Sequence, residues 1–172
     1  MIDESIITYL NKIDGGLNFK SLINFMSDSL IIFKDRRIKG PIGMTTPYCI
    51  YLDIKRVDEL NLNPMTVYFL VLHEIGHYKR IKNMGKETML NHLSTDNFDE
   101  LCYHIVNEEI FCDRYASLLF YHFNKLILPK IHTQQLDNEI YRLMYRQNVK
   151  PLFGVIQNKE ENYMRLIESF LL

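Results

Sequence analysis

The sequence predicts an α+β fold, mainly helical with a few short strands, and three observations carry that prediction. Apolar residues recur at helical spacing through most of the 172 residues. One segment, Tyr48 to Ile54 (YCIYLDI), is instead β-branched and aromatic, as strands are. Glycine and proline cluster at Gly15-Gly16, at Gly40-Pro41, Gly43 and Pro47, and at Pro151 and Gly154, where they separate these segments.

Ile2 to Ile13 has apolar residues at helical spacing and stops at Gly15-Gly16. Leu17 to Ser29 reads as a second helix with Leu22, Ile23 and Met26 on one face. Leu30 to Phe33 is a short apolar, β-prone run, and Lys34 to Pro47 is a loop or wide hairpin. The strand Tyr48 to Ile54 follows. Asn63-Pro64 is a strong helix start, with Asn as the capping residue and Pro at the first helical position. That helix runs from Met65 to about Lys82. Met84-Gly85 and the polar stretch Asn91 to Asn97 break the pattern. Asp99 to Phe123 is a long helix that ends before Pro129. Thr133 to Arg146 and Asn158 to Leu171 are further helices.

Length and composition fit one domain over residues 1–172, with 47% hydrophobic and 24% charged residues. The net charge of -1 gives no general drive toward nucleic acid or anionic membrane, so neither is an expected partner. The densest basic run, Lys34, Arg36, Arg37 and Lys39, reads as a solvated loop. Three cysteines, Cys49, Cys102 and Cys112, form no disulfide framework and suggest a reducing compartment. The acidic start Met1-Ile2-Asp3-Glu4 has no secretory-leader pattern, and no apolar stretch is long enough to span a bilayer. A cytoplasmic location is the expectation.

The chemistry is concentrated in His73-Glu74-Ile75-Gly76-His77, an HExxH motif. On a helix, positions i and i+4 share a face, so both imidazoles can converge on one zinc ion. Glu74 is rotated by about 100° and is free to act as general base on a metal-activated water. The preceding run of Val67, Phe69, Leu70, Val71 and Leu72 makes this helix apolar nearly all round, as buried helices are. Polar residues buried there need a partner, and zinc supplies one. The bland alternative is a motif whose polar residues face solvent or satisfy one another. Gly76 weakens a helix interior, which points to a close approach by a neighbouring element.

A catalytic zinc site needs a third protein ligand. Val106, Glu109, Asp113, Ala116 and Phe120 fall on one helical stripe that is otherwise apolar or small. Glu109 is therefore the expected third metal ligand. Asp113, one turn on, is expected to accept the free ring N–H of a ligating histidine. Glu108 is the alternative ligand but points about 100° away. Cys102 and Cys112 are more readily explained as small core residues. His92, His104, His122 and His132 show no metal spacing among themselves, although His104 shares a helix with Glu109.

With both halves in view, the chain resembles the gluzincin class of zinc peptidases, in which HExxH is followed by ExxxD. The pattern Glu109-x-x-Cys112-Asp113-x-Tyr115-Ala116 is similar to the Glu-x-x-Ala-Asp/Asn-x-Phe-Ala motif of the ImmA/IrrE family. Cys112 and Tyr115 stand where that motif carries Ala and Phe. The resemblance spans Asn63 to Ala116. It implies an active-site helix packed under a small sheet, a Zn2+ cofactor and a protein or peptide substrate; several members of that family cleave repressor-type regulators.

Hydrolysis of a peptide bond is thus the expected reaction, with Glu74 moving the proton. Tyr78, Tyr103, His104 and Tyr115 are candidates for stabilising the oxyanion. The strand Tyr48 to Ile54, if it is a sheet edge, could accept an extended peptide; otherwise it is internal. Two other readings remain: a zinc-containing binding module without catalysis, and a hydrolase of another amide or of nucleic-acid ends.

Overall fold

The computed structural model describes residues 1–13, 15–126 and 159–171. Its helices follow the apolar spacing closely. Helix α1 (Glu4–Lys12) buries Ile6 and Leu10, and α2 (Phe19–Asp28) buries Phe19, Leu22 and Met26. Asn18 caps α2 by accepting the Ser21 N–H at 3.0 Å. Three short strands follow: β1 (Phe33–Asp35), β2 (Gly43–Thr45) and β3 (Ile50–Leu52). Then come α3 (Ile54–Glu59), α4 (Pro64–Met84), α5 (Lys86–Leu93), α6 (Phe98–Asn124) and α7 (Lys159–Phe170). The fold is mainly helical with one small mixed sheet, an α+β arrangement. The helix expected over Thr133 to Arg146 lies outside the described residues.

Several boundaries differ from the sequence reading, and α5 forms where only a break was expected, running through Asn91 to Leu93. Pairing of the Leu30–Phe33 run begins only at Phe33, because Ile50 is its partner across the sheet. The segment Lys34 to Pro47, read as a loop or wide hairpin, contains β2, whose three residues pair antiparallel with β3, so that part of it forms one arm of a hairpin. The strand read as Tyr48 to Ile54 shortens to Ile50–Leu52, because Asp53 caps a new helix. The Asp53 carboxylate accepts the Arg56 N–H and the Ile38 N–H, each at 2.9 Å. Arg37, from the basic run, reaches Asp53 at 3.5 Å and Glu59 at 3.2 Å.

The sheet order is β1-β3-β2, with β3 parallel to β1 and antiparallel to β2. The YCIYLDI strand is therefore the internal one, and β2 is the strand that lies on α4. Asn63 caps α4 as expected, accepting the Thr66 N–H at 2.9 Å with Pro64 at the start. The core collects Leu22, Met26, Phe33, Ile50, Tyr68 and Phe120, all buried. Tyr68 sits between the rings of Phe19 and Phe120, and its hydroxyl donates to the Asn18 carbonyl at 3.0 Å. That bond satisfies the one polar atom of a buried ring. The chain returns beside the sheet through α7, where the Lys39 N–H donates to the Phe170 carbonyl at 2.6 Å. Among the described residues, no helix is long and apolar enough to cross a membrane.

Candidate metal centre

The site forms where α4 crosses α6. Gly76 explains how closely they meet: a Cβ there would lie 3.0 Å from Cys112 Cα. The expected close approach to Gly76 is thus the backbone of α6 itself. The α6 stripe faces inward as read, with Val106, Asp113, Ala116 and Phe120 buried.

Three donors converge across this crossing. His73 Nε2 lies 3.0 Å from His77 Nε2 and 3.1 Å from Glu109 Oε2, and His77 Nε2 lies 3.4 Å from Glu109 Oε1. A tetrahedral ion with bonds of about 2.0–2.1 Å requires donor separations of about 3.3 Å. The observed triangle has nearly those edges. On the far side of each ring, Nδ1 faces a carboxylate: His73 Nδ1 is 2.6 Å from Asp113 Oδ1, and His77 Nδ1 is 3.4 Å from Glu108 Oε1. A neutral ring that donates from Nδ1 to its carboxylate leaves its Nε2 lone pair toward the other ring and Glu109. Such a convergence needs a cation or protons at its centre. His73, His77 and Glu109 can hold a metal ion.

Electrostatics agree with the geometry. Burial disfavours charge on His73, but the bonds to Asp113 and Glu109 outweigh it and raise its pKa to about 9. Burial likewise opposes charge on His77, yet Cys112, Glu108 and Glu109 lift it well above the ordinary value. Burial works against the Glu109 carboxylate too, and its bonds to both histidines still hold it far below the usual range. Burial pushes the Cys112 thiol up to about 11, so it is a neutral side chain in the metal-free protein.

Glu74 sits elsewhere on α4, with its carboxylate buried under β2. Thr45 Oγ1 donates to Glu74 Oε2 at 2.6 Å and also lies 3.0 Å from the Glu74 carbonyl. A Cβ at Gly43 would fall 2.7 Å from Glu74 Oε1, so only glycine fits there without displacing the carboxylate. In the sequence Gly43 read only as a chain break and Thr45 carried no signal, both within a segment read as a loop or wide hairpin. Glu108 does not join the triangle. It lies at Nδ1 of His77, and its other oxygen receives Arg80 Nε at 2.5 Å. His104 stacks on His92, with centroids 4.2 Å apart, and lies 3.6 Å from Glu100. Of the oxyanion candidates, Tyr103 is exposed, Tyr78 lies under Lys82 and Tyr115 stacks on Phe111.

No family model, curated protein or solved structure matches the chain. The case for function rests on the residues themselves.

Proposed function

We propose that the chain is a zinc-dependent peptidase that hydrolyses a peptide bond in a protein substrate, with Glu74 as general base. The observation that carries the proposal is the triangle of His73, His77 and Glu109, whose edges of 3.0 to 3.4 Å suit a tetrahedral ion. Two imidazoles and one carboxylate are the donor set of catalytic zinc, which leaves its fourth position to water. Zinc in such a site lowers the pKa of its water and polarises a carbonyl oxygen. The chain's own residues do the rest. His73, His77 and Glu109 hold the ion, and Asp113 keeps the His73 ring turned toward it. Glu74 takes the proton from water at its carboxylate and delivers it to the leaving amine. Thr45 holds Glu74 Oε2 and so limits the carboxylate's swing. Among the described residues β2 ends the sheet, a position that suits an extended peptide laid beside Glu74. The likeness to the ImmA/IrrE motif points to a repressor-type protein as the substrate class.

A second reading, a metal-holding binding module without catalysis, draws on the same Thr45–Glu74 bond, which also fastens β2 to α4. One experiment separates the two. Metal analysis should find one zinc per chain in the wild type and in Glu74→Gln, and little in His73→Ala. Glu74→Gln should lose hydrolysis of a susceptible protein by several orders of magnitude. A zinc-free wild type would sink the metal reading. A fully active Glu74→Gln would remove Glu74 as base.

A further inference from the structure

Asp113 and Glu108 lie on opposite flanks of the donor triangle, each against the Nδ1 of a different histidine. Asp113 was legible from the sequence as a partner for a ligating ring. Glu108 was legible only as a rival ligand, and the structure gives it another position. We propose that Glu108, held in turn by Arg80, is a positioning residue that orients His77 for metal binding. The inference rests on the metal-site reading above and assigns a function to a pair which that reading leaves unused.

The chain of contacts is continuous. His77 Nδ1 lies 3.4 Å from Glu108 Oε1, and Arg80 Nε donates to Glu108 Oε2 at 2.5 Å. The Arg80 guanidinium lies over the Phe111 ring at 4.8 Å, which fixes it against α6. Arg80 follows His77 by three residues on α4, and Glu108 comes from α6, so the pair also ties the two helices together beside the site. A ring N–H donated to a carboxylate fixes the tautomer, turns Nε2 toward the metal and raises its basicity. His73 receives this from Asp113 at 2.6 Å; His77 receives it from Glu108 at longer range.

His77, Glu108 and Cys112 also lie close enough to form a second donor group. Arg80 argues against an ion there, because its guanidinium already serves as the cation for Glu108. A second metal ion would sit beside that like charge. Glu108 is thus better suited to orient His77 than to ligate.

The test uses full-length, zinc-loaded protein, chelator competition for zinc and long-range proton–nitrogen NMR of the histidine rings. Glu108→Gln should weaken zinc binding roughly tenfold, the low end for a carboxylate behind a ligating histidine. It should also move the His77 Nδ1–H resonance upfield and leave that of His73 in place. Asp113→Asn should do the converse. Arg80→Met should shift the His77 signal in the same direction by less, and it carries the test should Glu108→Gln not fold. A merely structural ion pair predicts unmoved ring resonances. If wild type binds zinc while these variants keep its affinity and the His77 signal, the positioning proposal falls and the metal site stands. If wild type binds none, both fall. Two zinc ions per chain, dropping to one in Cys112→Ala, would make Glu108 a ligand and overturn the proposal.

Discussion

Gly76→Ala tests whether the helix crossing sets the metal geometry. In a free helix the change is favourable, since alanine outranks glycine by about 1 kcal/mol. In this protein the new methyl would lie 3.0 Å from Cys112 Cα, 3.2 Å from its Cβ and 3.4 Å from its carbonyl oxygen. Carbon atoms settle at about 3.5–4.0 Å, so α6 must retreat by a few tenths of an ångström. The obstacle is backbone, which cannot swing aside as a side chain can. Overpacking of this kind costs about 1–3 kcal/mol, so the sum is a loss of about 0–2 kcal/mol. At this chain length each kcal/mol lowers the Tm by roughly 2–4 °C.

The larger effect falls on the metal. Cys112 lies between Glu109 and Asp113, and the contacts from His73 to those two carboxylates are 3.1 and 2.6 Å. A shift of that size moves both carboxylates against donors whose geometry a tetrahedral ion tolerates only narrowly. Zinc affinity should therefore fall roughly tenfold or more, comparable to losing a supporting carboxylate. Thermal unfolding in chelator and zinc competition on the same samples are the two assays. A variant with higher Tm and unchanged zinc affinity would refute the argument, because α6 would then have had room to spare.

Other expectations follow from the same contacts. Glu109→Ala should nearly empty the site, whereas Asp113→Ala should weaken zinc only roughly 10–100-fold; competition against one chelator checks the order, and its reversal would make Asp113 the ligand. Against the opposing effect of burial, Asp113 and Glu109 raise the His73 pKa to about 9 in the folded, metal-free protein, above the ordinary value near 6.5. Its proton therefore stabilises the metal-free fold fully below about pH 6.5, and that contribution is lost as pH rises through about 9. Zinc must displace the proton, so affinity should climb across that window and level above it; a pH-independent affinity would contradict this. Asn63→Ala removes the α4 cap and should cost about 1 kcal/mol, read by denaturant unfolding.

The parts legible in the sequence were those with a fixed period. His73 and His77 had to share a face of α4, and Glu109 and Asp113 had to share one of α6, because the 3.6-residue repeat allows nothing else. Asn63-Pro64 marked the start of α4 for an equally local reason. The sheet was harder. Strands of three residues are too short to show alternation, so β2 could be read only as part of a loop or wide hairpin. The central place of β3 follows from partners on both sides, which no local pattern encodes. Gly43 and Thr45 owe their importance to Glu74, about thirty residues away, and such contacts exist only after folding. Glu108 was seen to point away from the Glu109 stripe, but the sequence did not say that Arg80 awaited it there.

Charge ties the ligands and their supports into one unit. Glu108, Glu109 and Asp113 bring three negative charges around two imidazoles, and Arg80 brings one positive charge. The carboxylates outnumber that cation, and they raise the pKa of both histidines despite burial. A divalent cation held by His73, His77 and Glu109 would meet the same excess of negative charge. Neutralising Glu108 or Asp113 should therefore reduce the metal-free proton load along with zinc affinity. A calorimetric count of protons released on zinc binding should fall in Asp113→Asn below the wild-type value at about neutral pH. An unchanged count would mean that the carboxylates orient the rings without setting their charge.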